Sequence, residues 1–120
     1  MFSLQRFFGK EDRFLDLLEA LAEECRASVQ ALQHILKPGA RLNLEEFTAS
    51  RRKGKQITNE IGNLLCRTSV TGLEPEDIES IANSLYKIPK TTEKFAERYI
   101  IFADRLQDAK WDRQVSLLEQ

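Results

Sequence analysis

Apolar residues recur along this chain at alternating three- and four-residue intervals, in three long runs separated by two breaks. In the first run, Phe14, Leu18, Leu21, Cys25, Ser28, Leu32 and Ile35 keep the spacing, and only Ser28 is polar. Leu15, Leu17, Ala22, Val29 and Leu36 widen the stripe. A band this broad predicts a core-facing helix over 11–36. Lys37-Pro38-Gly39 ends it, a cation in the last turn followed by two breakers.

In the second run, Phe47, Ser50, Gly54, Ile57, Ile61, Leu64 and Thr68 predict a helix over 44–68. Asn43 is the expected N-cap, with Glu46 three positions on as its capping-box partner. Ser50 and Gly54 are small for core positions. Either a neighbouring backbone approaches closely there or the turn is loosely held.

The third run begins in the joint Val70-Thr71-Gly72-Leu73-Glu74-Pro75-Glu76-Asp77-Ile78. Glu74 occupies the N-cap place and Pro75 the first helical position, where a missing N–H is harmless. Glu76 and Asp77 put negative charge where the helix dipole favours it. Ile78, Ile81, Leu85, Ile88, Thr92, Phe95, Tyr99, Phe102 and Leu106 then hold one phase. Pro89 interrupts it and predicts a kink, but the phase is the same on both sides, which implies one bent helix. Trp111, Val115 and Leu118 extend the pattern; either the third helix runs on through 107–120 or a short amphipathic fourth helix turns back.

Residues 1–10 carry Phe2, Leu4, Phe7 and Phe8 with Arg6 and Lys10. They read as an N-terminal arm, either docking on a partner or membrane surface or folded over the bundle end. The second is favoured, because ten residues give little amphipathic area. Connections of about six residues force antiparallel neighbours, so the expected architecture is an all-α, up-down-up three-helix bundle in one domain, 1–120.

The 120 residues hold 18 Lys+Arg against 19 Asp+Glu, a near balance that gives no case for nucleic-acid binding. No apolar run is long enough to span a bilayer, and the start lacks a signal-peptide core. Any membrane association is then expected only through a partner. Cys25 and Cys66 stand alone within helical patterns and read as reduced thiols of a cytoplasmic protein.

Catalytic motifs are absent from the sequence: there is no phosphate loop, nucleophile elbow or His/Cys metal spacing. The one histidine, His34, sits late in the first helix, where the dipole favours its cation. Acid pairs at Asp12/Asp16, Glu19/Glu23, Glu93/Glu97 and Asp104/Asp108 read as solvated faces. The densest charge feature is Arg51-Arg52-Lys53 with Lys55, either a solvated face or an anion or partner contact. An amphipathic chain end carrying Trp and Leu needs cover. Tyr99, Phe102, Leu106, Trp111, Val115 and Leu118 are the candidate contact between copies.

The joint and the helices around it resemble the PhoU-like proteins encoded beside Pit-type phosphate transporters. The shared features are the opening Met1-Phe2, Arg6-Phe7-Phe8 and Phe14-Leu15-Asp16-Leu17-Leu18, then Ile57-Thr58-Asn59-Glu60-Ile61 with Leu65, then the joint itself. The resemblance covers most of residues 1–105 and implies a PhoU-like helical bundle. It also implies a non-enzymatic regulator or adaptor of phosphate transport, docking on a transporter or sensor protein.

Two departures shape that expectation. The family's acidic metal-binding positions fall on Arg51, Lys55, Tyr86, Lys87 and Lys90, so no metal or other cofactor is expected. Arg51, Arg52, Lys55, Lys87 and Lys90 become instead a candidate anion or partner surface. Family members also run to about twice this length. Dimerisation through the third helix would replace the missing half. The competing reading is a self-associating structural helical protein unrelated to phosphate.

Overall fold

The computed structural model describes residues 2–67 and 74–119, with side chains from Asp12 onward apart from 111, 112, 114, 115 and 119. Three helices, α1 (Phe2–Ile35), α2 (Glu45–Arg67) and α3 (Pro75–Glu119), each pack against the other two. At one end Phe14 and Leu21 of α1 cluster with Ile61 of α2 and with Ile78 and Ala82 of α3. At the other end Ala31 and Ile35 meet Phe47 and Ala96. These groupings make α1 and α3 run the same way and α2 the opposite way. The expected up-down-up bundle is the fold observed.

The helix ends follow local chemistry. The Glu74 carbonyl accepts the Asp77 amide at 3.0 Å and the Ile78 amide at 3.2 Å, so Glu74 caps α3 and Pro75 opens it. Val70–Leu73 of the joint lie outside the described residues. At α2, the Leu44 carbonyl accepts the Thr48 amide at 2.9 Å, and Asn43 Oδ1 accepts the Glu45 amide at 3.1 Å. The cap therefore falls one residue later than the Asn43–Glu46 spacing predicts, with Asn43 steadying it as an Asx-type turn. After α1, Gly39 takes a φ of +76°. That is the left-handed region, where glycine has no Cβ to clash.

Two sequence expectations change. Residues 2–10 are helix, continuous with α1, rather than an arm turned over the bundle end. No proline lies between Phe2 and Glu11, and Gly9 alone costs a helix only about 1 kcal/mol. The segment 107–119 is likewise no fourth helix; α3 continues through it as one helix of 45 residues, about 67 Å long. The molecule is a rod of 85 × 20 × 17 Å. Tyr99 is the last α3 residue packed against the far cluster, so 100–119 extend past the ends of α1 and α2.

Between the two apolar clusters lies a waist of buried small or polar residues, Cys25, Ser28, Ser50, Gly54 and Pro89. Ser28 is satisfied within its own helix, donating to the Cys25 carbonyl at 2.8 Å. A Cβ on Gly54 would stand 3.3 Å from a Tyr86 ring carbon and 3.4 Å from Pro89 Cγ. Of the two readings of Ser50 and Gly54, close helix approach is the correct one.

Candidate functional site

Two surfaces carry the residues singled out by the sequence. The first is the basic group on α2 and α3. Arg51 is not a free cation: its Nε donates to Glu93 Oε1 of α3 at 2.7 Å. That hydrogen bond, then the charge of Glu93, raises the already high Arg51 pKa, with Tyr86 a lesser contributor. Glu93 is only 14% exposed at its side chain, and its Oε2 is buried with no hydrogen-bond partner among the described residues. The solvated pair Glu93/Glu97 read from the sequence is therefore half wrong. Glu93 is a bundle residue, and only Glu97 is exposed.

Arg52, Lys53, Lys55, Lys87 and Lys90 are all exposed, while Tyr86 is half-buried. The Arg51–Glu93 pair and the Gly54–Pro89 approach set the level of α2 against α3. At that level Lys55 and Lys90 flank one α2/α3 groove, with Lys87 a turn of the wheel further out. Arg51, the first residue of the candidate basic surface, is neutralised by an acid from the opposite helix. His34, exposed, lines an open α1/α2 groove with Gln30, Lys37, Glu46 and Lys53. Among the described residues no three His, Cys, Asp or Glu side chains are grouped closely enough to hold a metal ion.

The second surface is one that sequence periodicity misassigned to the core. In the third apolar run the expected inner face is the phase shared by Ile78, Ile81, Leu85, Ile88, Thr92 and Phe95, with Tyr99, Phe102 and Leu106 also the candidate contact between copies. Instead the buried line of α3 is Ile78, Ala82, Pro89 and Ala96. Ile81, Ile88 and Phe95, each one position before a small residue of that inner series, and Phe102, one heptad further on, are 38–61% exposed. Their seven-residue spacing makes them a straight stripe. Leu15, Ala22 and Val29 of α1, with Leu36 just past its end, form a second exposed stripe at the same spacing.

Both stripes flank the same groove. Cys25 on α1 reaches Leu85 of α3, and 15, 22, 29 and 36 lie further round on that side. Glu93 of α3 reaches α2, which leaves 81, 88 and 95 on the side toward α1, with 102 continuing their line past its end. At roughly 200 Å² for a fully exposed large side chain, the seven large residues of this face leave 600–700 Å² of apolar surface in water, above the usual largest patch of a monomer.

Of the candidate contact between copies, Phe102, Leu106 and Leu118 are exposed, whereas Tyr99 is half-buried and stacks on Phe95 with ring centroids 6.2 Å apart. Trp111 and Val115 lie on the extended part of α3, and their side chains are outside the described residues. Cys66 is exposed and Cys25 buried, both as free thiols. No described helix is long and apolar enough to cross a membrane. Comparison with protein-family models, with curated proteins and with solved structures finds no match to this chain.

Proposed function

We propose that this protein is a non-enzymatic regulator or adaptor that acts through protein–protein contacts. One observation carries the reading: the apolar face along α1 and α3, which the bundle leaves uncovered although its residues have core chemistry. The resemblance to PhoU-like proteins adds a setting, phosphate transport, and a class of partner, a transporter or sensor protein. In this reading the protein is cytoplasmic and meets the membrane only through that partner. The exposed cations around Lys55, Lys87 and Lys90 offer a second contact, weakened as an anion site because Arg51 is already paired with Glu93.

A second reading shares the same surface and drops the tie to phosphate: a self-associating structural protein, favoured by the length of the exposed stripes. Affinity purification from the host, with and without phosphate starvation, separates the two. The proposal expects a phosphate permease or sensor with the natural chain, and its loss with Lys55, Lys87 and Lys90 changed to Ala or with Ile88→Glu. Recovery of no phosphate-related membrane or sensor protein under either condition would leave only the structural reading.

A further inference from the structure

We infer that the α1/α3 face is occupied by a second copy of this chain, packed antiparallel about a twofold axis that crosses α3 near Thr91 and Thr92. The inference rests on reading the chain as a contact protein and names what covers its apolar face.

The register itself is self-complementary. An antiparallel α3 pair centred between Thr91 and Thr92 sets Ile88 opposite the second copy's Phe95 and Ile81 opposite its Phe102. Each contact is made twice, as a twofold interface requires. On α1, Ala22 and Leu36 are spaced evenly about Val29, which lies near the same level given that Cys25 meets Leu85. A small residue thus meets a large one across the axis.

Charge follows the same symmetry. Asp77, Ser84, Thr91, Arg98 and Arg105 form the solvent-side neighbours of the α3 stripe, all exposed. The arrangement brings Asp77 of one copy to Arg105 of the other at both ends. Within one chain they are at opposite ends of α3, and neither enters an ion pair among the described residues. A parallel pair would instead stack Arg105 on Arg105.

Size fits as well. A standard interface buries about 800 Å² per partner, of which roughly 60% is apolar, and the exposed side chains of this face already supply that apolar share. The part of α3 beyond Tyr99, which has neither α1 nor α2 beside it, would gain the start of the second copy's α3.

The test uses the whole chain with Cys66→Ser to remove the exposed native thiol. Sedimentation at tens of micromolar should give a dimer. Thr91→Cys should form a disulfide between copies under mild oxidation, and Ser84→Cys should not. Phe95→Glu should raise the dimer dissociation constant by at least about tenfold with helicity by circular dichroism unchanged. Asp77→Arg should weaken the dimer, and adding Arg105→Asp should restore it.

A monomer at these concentrations overturns the inference, as does a dimer in which Ser84→Cys cross-links and Thr91→Cys does not. A monomer that still co-purifies a transporter through Ile88 would sink this inference and keep the adaptor reading. A dimer that co-purifies nothing would do the reverse.

Discussion

The thiol of Cys25 donates to the carbonyl of Leu85 at 3.0 Å, the same carbonyl that Pro89, lacking an N–H, leaves without its helical partner. A proline in mid-helix is therefore supported from the neighbouring helix, at the waist where Gly54 lets the three helices close in. Removing the thiol should leave that carbonyl unsatisfied. Cys25→Ala is expected to cost about 1–3 kcal/mol, for the lost hydrogen bond and the small void. Pro89→Ala returns an amide to Leu85. In that background the cost of Cys25→Ala should shrink, and urea unfolding of all four species measures the coupling. Equal costs in both backgrounds would show that the thiol only fills space.

The same thiol makes stability depend on alkaline pH. Burial raises its pKa above the ordinary thiol value, aided by the nearby Glu24 charge and opposed by a backbone hydrogen bond. The folded state thus holds the proton more tightly than the unfolded chain. Its contribution is complete below the usual thiol value of about 8.5 and is lost as pH rises through the folded-state value. Unfolding measured from pH 7 to 10 should fall more steeply for the natural chain than for Cys25→Ala.

How far the sequence predicts this molecule differs between helices. On α1 every expected inward position, from Phe14 to Ile35, is buried or half-buried, and it is the flanking line of Leu15, Ala22, Val29 and Leu36 that stays exposed. On α3 the same spacing misleads. Ile81 and Ile88 look like core, but the inner line of α3 is taken by Ala82 and Ala96 in the two end clusters and by Pro89 against Gly54 at the waist. A wide apolar stripe does not say which edge faces inward when a helix has two uses for it. The Arg51–Glu93 pair was equally hidden: spacing ties Glu93 to Glu97, whereas its true partner is 42 residues away on another helix. The start of α3, by contrast, depends on neighbouring residues alone, and Glu74 and Pro75 act where their chemistry puts them, whereas at α2 the cap moves one residue, from Asn43 to Leu44.

That ion pair should be felt strongly when one side is removed. Arg51→Met leaves a largely buried carboxylate with its second oxygen already unpaired, and a charge-assisted hydrogen bond is worth about 1.5–3 kcal/mol. Arg51→Met is expected to destabilise by about 2 kcal/mol, whereas Arg51→Met with Glu93→Gln should recover a large part of the loss, since no uncompensated charge then remains. Chemical denaturation of the two single variants and the double variant reads the difference. A double variant no better than Arg51→Met would place the loss in packing of the arginine stem.

The two glycines of α2 should respond oppositely to the same kind of change. Both sit in helix interior, where Ala is better than Gly by about 1 kcal/mol. A Cβ on Gly62 meets nothing within 4 Å, so Gly62→Ala should gain most of that and raise the unfolding midpoint. A Cβ on Gly54 meets Tyr86 at 3.3 Å and Pro89 at 3.4 Å, with Leu21 at 3.6 Å. Tyr86 is half-buried and can yield a little, but Pro89 is a rigid ring fixed in the backbone of α3. The propensity gain of Gly54→Ala should therefore be offset by crowding, leaving it below Gly62→Ala. Gly54→Leu has no space at all and should separate α2 from α3 at the waist, loosening the Arg51–Glu93 and Cys25–Leu85 contacts on either side of it. Thermal unfolding of the three variants ranks them, and a Gly54→Leu protein as stable as the natural chain would show that the helices do not meet at that point.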